Sequence, residues 1–135
     1  MNRFIIQLLL SLMLVSCFAP DVRRIEFEKE YGMITNDLQR LEGVIHADFE
    51  VSARLFNGKE EHTLLIKLIN ENSTLVSDET RLNNLCESAY QIIINSISNE
   101  NDYDQIEVEV RKKDESTSLF SKSFQPTERV QKKVS

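Results

Sequence analysis

The stretch Val44 to Asn70 reads VIHADFEVSARLFNGKEEHTLLIKLIN, two strand-like segments on either side of Asn57-Gly58. Apolar and polar residues alternate along both segments, at the period of two that is typical of a half-buried strand. Asn-Gly is the strongest short hairpin signal, because both of its positions tolerate a positive φ. The stretch therefore predicts a β-hairpin.

Taking Asn57 and Gly58 as the two turn residues fixes which residues face each other across this hairpin. The predicted pairs are Val51 with Leu64, Phe49 with Ile66 and Ala47 with Leu68 on the inner face, and Asp48 with Lys67 and Arg54 with Glu61 on the outer face. Each opposite-charge pair of this kind contributes about 0.2–1 kcal/mol. A slip by one residue would move both sets to the wrong face, so the register is strongly specified.

Two residues do not fit the alternation. Leu65 and Ile69 fall on the outer face, where the pattern otherwise places polar residues such as Lys67 and His46. Exposed apolar residues of this kind either cover a small satellite core or mark a contact patch for a partner. The sequence leaves both open, and we take Leu65, Lys67, Ile69 and His46 as a possible binding face.

The segment before the hairpin has a helical period. From Asp21 to Glu42, apolar residues recur at steps of mostly three and four: Val22, Ile25, Phe27, Tyr31, Ile34, Leu38 and Leu41. This spacing predicts one amphipathic helix that lies on its own sheet, stopped at Gly43. A short coiled-coil seam is the alternative, although fewer than three heptads are present.

A second helix is predicted from Ser77, as N-cap, to about Asn99. Its apolar stripe comprises Leu82, Leu85, Cys86, Ala89, Ile93 and Ile97. Cys86 lies in the middle of that stripe, which favours a small buried hydrophobe over a reactive thiol.

The rest of the sequence, after the second helix, predicts two more strands. Ile106, Val108 and Val110 alternate with charged residues, and residues 119–125 form a weaker strand at a sheet edge. The order α-β-β-α-β-β is that of a two-layer α+β sandwich, with two helices on one face of an antiparallel four-stranded sheet. We place this single domain at residues 21–125 and a flexible tail at 126–135.

Few residues suggest catalysis or metal binding. His46 and His62 fall on opposite faces of the hairpin, and the chain has no Cys-x-x-Cys, His-x-x-x-His or Gly-x-Ser-x-Gly motif. An acidic loop formed by Asn99, Glu100, Asn101, Asp102 and Asp104 offers oxygen ligands for calcium, but it lacks the glycine and distal glutamate of an EF-hand loop. We expect an acidic turn there, and neither a cofactor, a metal nor a catalytic residue elsewhere. The net charge of −6 argues against nucleic acid as a partner.

The first seventeen residues carry an export signal. Met1-Asn2-Arg3 precede an apolar run from Phe4 to Val15, which is too short to span a bilayer comfortably. The last four of the seventeen residues, Leu14-Val15-Ser16-Cys17, resemble the lipobox of bacterial lipoproteins. That resemblance implies cleavage after residue 16, acylation of the Cys17 thiol and a lipidated tether over residues 17–20.

These features together predict a lipid-anchored protein of the cell envelope, held at the cell membrane or outer membrane by acyl chains on Cys17. Its folded domain is expected to act as a non-enzymatic binding or assembly module with an envelope protein as partner. Two alternatives remain. One is a small membrane-anchored enzyme that uses scattered carboxylates or Cys86, and the other is a subunit assembled through a coiled coil of the first helix.

Overall fold

The structure, a computed structural model, describes residues 23–72 and 75–126. The predicted signal segment, Cys17, the tether and residues 127–135 of the tail lie outside the described residues. The elements in chain order are helix α1 (Tyr31–Gln39), strands β1 (Val44–Phe56) and β2 (Lys59–Asn70), helix α2 (Glu79–Ile94), and strands β3 (Gln105–Lys112) and β4 (Ser118–Phe124). This α-β-β-α-β-β order confirms the predicted α+β fold. None of the helices in these ranges is long and apolar enough to cross a membrane.

The four strands form one sheet in the order β1-β2-β3-β4, and its central pair is parallel. The prediction of a fully antiparallel sheet was therefore wrong at β2 and β3, whereas β1–β2 and β3–β4 are antiparallel as expected. The reason lies in α2, whose 16 residues carry the chain back by about 24 Å, roughly the length of the sheet. Because the chain returns to the end at which β2 begins, β3 must run in the same direction as β2.

The β1–β2 hairpin has the predicted register at all five of the predicted pairs. Asn57 and Gly58 adopt φ values of 51° and 75°, which is the conformation that the Asn-Gly signal predicts. One irregularity between Val44 and His46 breaks the alternation at the start of β1. As a result Val44 is buried and Ile45, which the alternation places on the inner face, is 39% exposed.

The first helix is shorter than predicted. It spans only nine residues, and the segment before it is extended: Phe27 forms an antiparallel bridge with Ile97, and the Glu28 N–H donates to the Ser96 carbonyl at 2.9 Å. Ile25 and Phe27 fit a period of two as well as they fit a helix, because charged residues stand on either side of each. Nine residues are little more than one heptad, so this helix offers no seam for a coiled coil.

The second helix begins one residue later than predicted and ends about five residues earlier. Asp78, not Ser77, is its N-cap, and the Asp78 side chain accepts a hydrogen bond from the Arg81 N–H at 3.1 Å. The helix ends at Ile94, after which the chain turns to pair with the extended segment around Phe27. The predicted stripe is nevertheless buried throughout, Cys86 included.

The hydrophobic core lies between the two helices and one face of the sheet, here called the inner face. Its centre consists of fully buried residues on the two middle strands: Leu64, Ile66, Leu68, Ile106, Val108 and Val110. At the β4 edge, Lys122 also points to this side and binds Glu87 of α2 at 2.8 Å. Pro126, which the sequence placed in the tail, is buried as well.

Candidate functional site

The outer face of the sheet is the side on which neither α1 nor α2 packs. Leu65, Lys67 and Ile69 follow one another along its central strand β2, and each is half-buried. His46, on the neighbouring edge strand, is exposed. The structure thus brings all four residues of the predicted binding face to one surface, in the arrangement that the register predicted.

Charged side chains stand on both sides of this central strip. Across the three strands the aligned rows are His46–Ile69–Arg111, Asp48–Lys67–Glu109 and Glu50–Leu65–Glu107. Residues directly opposite each other on neighbouring strands have Cβ atoms about 4.5–5.5 Å apart, so their side chains touch. Leu65 and Ile69 are therefore flanked by polar or charged residues on both neighbouring strands, and neither α1 nor α2 packs on this side.

Two ion pairs form within this face. Lys67 Nζ binds a carboxylate oxygen of Glu50, not of Asp48, although Asp48 lies opposite Lys67 as predicted. The Asp48 carboxylate instead accepts a hydrogen bond from the Phe49 N–H at 2.9 Å. The second pair lies on β3, where the Arg111 guanidinium meets both oxygens of Glu109, at 3.0 Å and 3.1 Å.

The resulting surface is an apolar strip with an acidic border. Asp48 and Glu50 border it on β1 and Glu107 and Glu109 on β3, whereas only Lys67 and Arg111 oppose them in these rows. Glu109 is 8% exposed, and its partner Arg111 supplies the compensation that a buried carboxylate requires. The sequence alone did not reveal the Arg111–Glu109 pair as part of this face, because the position of β3 beside β2 depends on a distant crossover.

The two histidines lie apart, as predicted. His62 is buried on the inner side of β2, with Nε2 at 3.7 Å from Glu60 Oε1, whereas His46 is exposed on the outer face. Over residues 23–72 and 75–126, no group of three or more His, Cys, Asp or Glu side chains is placed to hold a metal ion.

The acidic loop before β3 forms hydrogen bonds and an ion pair with other segments of the same chain. The Asn99 amide accepts from the Glu26 N–H at 2.9 Å and donates to the Arg24 carbonyl at 2.8 Å. Asp102 pairs with Arg23 at 3.6 Å, and Asp104 accepts from the His62 N–H at 2.8 Å. These oxygens fix the N-terminal segment and the start of the parallel strand pair, which is a structural role for the predicted acidic turn.

Cys86 has the environment of a core residue. It is fully buried, and its Sγ lies 3.9 Å from the Val108 carbonyl oxygen. Burial raises the pKa of the thiol to about 12, an effect that nearby Lys122 only partly opposes. A thiolate nucleophile is therefore strongly disfavoured at this position.

A polar cleft of about 490 Å³ lies where the hairpin extends past the start of β3. Its walls include Arg54, Glu61, Tyr103 and Asp104. The Arg54–Glu61 ion pair, at 2.9 Å, forms one wall, and burial raises the pKa of the Tyr103 hydroxyl. Sequence analysis missed this cleft because its residues come from four separate segments of the chain.

Comparison of the chain with protein-family models, with curated proteins and with solved structures gave no match.

Proposed function

We propose that this protein is a lipid-anchored cell-envelope protein whose domain binds a partner protein through the outer face of its sheet. The observation that carries the proposal is the position of Leu65 and Ile69. Both lie half-buried on a central strand, on the one sheet face without a helix. Central strands of a covered sheet are apolar on both faces, whereas an uncovered face is normally polar.

The anchor follows from the lipobox-like residues Leu14 to Cys17. Acylation of Cys17 and removal of residues 1–16 would leave the domain attached by acyl chains, each buried methylene contributing about 0.8 kcal/mol. The resemblance to lipoprotein sorting patterns, with Phe18 after the cysteine instead of aspartate, favours the outer membrane in a Gram-negative host.

The chemistry of the outer face defines the partner. An apolar strip bordered by Asp48, Glu50 and Glu107 is complementary to a surface that presents apolar side chains flanked by lysine or arginine. Such a partner would bury Leu65 and Ile69 and pair with the carboxylates at the rim. An envelope protein with a basic rim around an apolar centre satisfies both requirements.

The ion pairs and the burial of the candidate catalytic groups favour binding over catalysis. Glu109 is held by Arg111 and Glu50 by Lys67, so neither carboxylate is poised as a general acid or base. Cys86, the nucleophile of the enzyme alternative, is buried beneath α2.

Photo-cross-linking in the native envelope tests this function. A photo-reactive amino acid at position 46, on the outer face, should give a discrete cross-linked product. The same probe at position 33, an exposed site on α1, should not. Combining the probe at position 46 with Leu65→Thr and Ile69→Thr should abolish the product, because the apolar strip is then lost. Identical products from both positions, or a product that survives the double substitution, would contradict a binding role for this face.

A further inference from the structure

The tip of the β1–β2 hairpin projects from the rest of the sheet. Pairing between β1 and β2 continues to Phe56 and Lys59, whereas β3 joins β2 only from Thr63 onward. His62 is still held by Asp104 of the loop before β3, so three residues of β2, Lys59 to Glu61, extend past that contact, a distance of about 10 Å at roughly 3.3 Å per residue. The projecting part is a two-stranded ribbon that ends in the Asn57-Gly58 turn.

The end of this ribbon carries two large apolar side chains. Leu55 is 59% exposed and Phe56 is 55% exposed, among the highest values for large hydrophobic residues in the described part of the chain. The Arg54 guanidinium lies 5.7 Å from the centre of the Phe56 ring, and Lys59 follows directly after the turn. Arg54 thus stands behind Phe56 along β1, and Lys59 lies directly opposite Phe56 on β2. Apolar side chains next to long cationic ones suit the boundary between lipid headgroups and acyl chains.

The chain enters the folded domain at the same end. Arg23, the first described residue, pairs with Asp102, and the Asn99 amide donates to the Arg24 carbonyl. Both partners belong to the loop that leads into β3, and Asp104 of that loop binds the His62 backbone on β2. Arg23, where the described part of the chain begins, thus lies close to the base of the projecting ribbon.

The short connection keeps one end of the domain close to the membrane. Six residue steps separate Cys17 from Arg23, and a fully extended chain of that length spans at most about 20 Å. The opposite end of the sheet, at the β3–β4 turn, lies beyond an eight-residue strand, or about 26 Å further on. With Cys17 anchored, the end of the sheet that carries the hairpin tip stays within about 20 Å of the bilayer, whereas the β3–β4 turn lies about 26 Å away from that end.

We infer that Leu55 and Phe56 form a second, non-covalent contact with the lipid surface and orient the domain on it. This inference rests on the proposed attachment at Cys17. The ligand is the headgroup–acyl boundary of a phospholipid bilayer. Arg54 and Lys59 balance Glu60 and Glu61 at the tip, so no net charge opposes the approach to anionic headgroups.

The chain has no tryptophan, so a single introduced indole reports on its own position. Phe56→Trp places this probe at the tip, and Thr117→Trp places it at the exposed β3–β4 turn as the matched control. Each full-length variant is purified and incorporated into vesicles of phosphatidylcholine and phosphatidylglycerol with brominated acyl chains, which quench indole fluorescence at short range. We expect at least threefold stronger quenching, and a blue-shifted emission, for the probe at position 56. Adding Leu55→Asp to Phe56→Trp should remove most of that difference.

Equal quenching at positions 56 and 117 would overturn the inference. Vesicle flotation distinguishes this outcome from failure of the proposed anchor. A chain that is not acylated has no lipid at Cys17 to carry it upward with the vesicles. If the chain is not acylated, its free Cys17 thiol is coupled to a maleimide lipid. Cys86 is buried and does not react with the maleimide. The two indole positions are compared in the same way on that coupled protein.

Discussion

Asp104 and His62 hold β3 and β2 together at the point where their parallel pairing begins. The His62 N–H donates to Asp104 Oδ2 at 2.8 Å, and the Asp104 N–H donates to the His62 carbonyl at 2.9 Å. The first of these bonds replaces a ladder bond by a charge-assisted one, just before β3 starts at Gln105. It fixes the one strand pair that the sequence did not predict correctly.

Asp104→Ala should therefore lower the free energy of unfolding by about 1–2 kcal/mol, because it leaves the His62 N–H without its charged acceptor. Asp37→Ala is the matched control, since Asp37 makes only an exposed ion pair with Arg40 at 3.5 Å. That pair is expected to contribute at most about 0.5 kcal/mol. Urea denaturation of the two variants measures the difference, and equal effects would contradict the role assigned to Asp104.

Gly43 and Gly32 should respond in opposite ways to alanine. Gly43 has a φ of +72°, and a Cβ there would lie 2.6 Å from Asn70 Oδ1 and 2.7 Å from Asn72 Cβ. Asn70 is itself buried and holds the Glu42 carbonyl at 2.8 Å, so it cannot move away cheaply. We expect Gly43→Ala to cost at least about 2 kcal/mol, combining the left-handed φ with the clash.

Gly32 lies in the first turn of α1, where a Cβ would meet nothing within 4 Å. Gly32→Ala should stabilise the protein by about 0.4–1 kcal/mol, because alanine is the better helix former. Thermal unfolding of both variants gives the comparison. A melting temperature that rises for Gly43→Ala or falls for Gly32→Ala would contradict the backbone geometry described above.

Cys86 should be inert in the folded protein. In a chain that begins at Phe18, where Cys86 is the sole cysteine, a thiol reagent should react only after denaturant is added. Raising the pH from 7 to 10 should not accelerate the labelling of the folded chain, because burial raises the pKa of this thiol to about 12. Rapid labelling under native conditions would show that the face of α2 is wrongly assigned.

The same pKa shift gives stability a pH dependence with a defined sign. Folding keeps the Cys86 thiol protonated up to about pH 12, whereas the unfolded chain releases this proton near pH 9. Between these values the native state binds more protons, so stability falls as the pH rises, with a slope of at most about 1.4 kcal/mol per pH unit. Cys86→Ala should remove this component of the alkaline slope, which urea titrations at pH 8, 9, 10 and 11 would measure. An unchanged slope in the variant would contradict the assignment.

The outer and inner faces of β2 should differ in their contribution to stability. Leu65→Thr with Ile69→Thr should lower the free energy of unfolding by less than about 2 kcal/mol, because both side chains are only half-buried. Ile66→Thr, on the inner face of the same strand, should alone cost about 2–4 kcal/mol, because it buries a hydroxyl and leaves a cavity. A loss of several kcal/mol from the outer-face pair would place Leu65 and Ile69 in a core and remove the basis for a binding face.

The parts of the fold that were predictable depend on local patterns. The hairpin, its register and the outer position of Leu65 follow from alternation and from the Asn57-Gly58 turn, which act within one contiguous stretch. The direction of β3 depends instead on where α2 returns the chain, which no residue of β3 encodes. The extended segment at Phe27 was missed because two apolar residues in a charged context fit both periods, and only pairing with Ile97 decides between them.

The candidate site divides in the same way. The alternation of side chains along two paired strands was enough to assign His46, Lys67 and Ile69 to one face. To predict the acidic border on β3, where Arg111 binds Glu109, one would have to know which strand pairs with β2. The projection of Leu55 and Phe56 also depends on where β3 begins to pair, so their exposure could not be read from the hairpin alone.

The most direct test of the proposed function is acylation of Cys17 in cells. Cells that express the full-length chain are labelled with a fatty-acid analogue and separated into membrane and soluble fractions. Cys86→Ala is the control, because it removes the other cysteine without touching the lipobox-like residues. We expect Cys17→Ala to abolish the label and to release the protein from the membrane fraction, whereas Cys86→Ala should keep both the label and the membrane association. Undiminished label in Cys17→Ala would show that Cys17 is not the acylated residue.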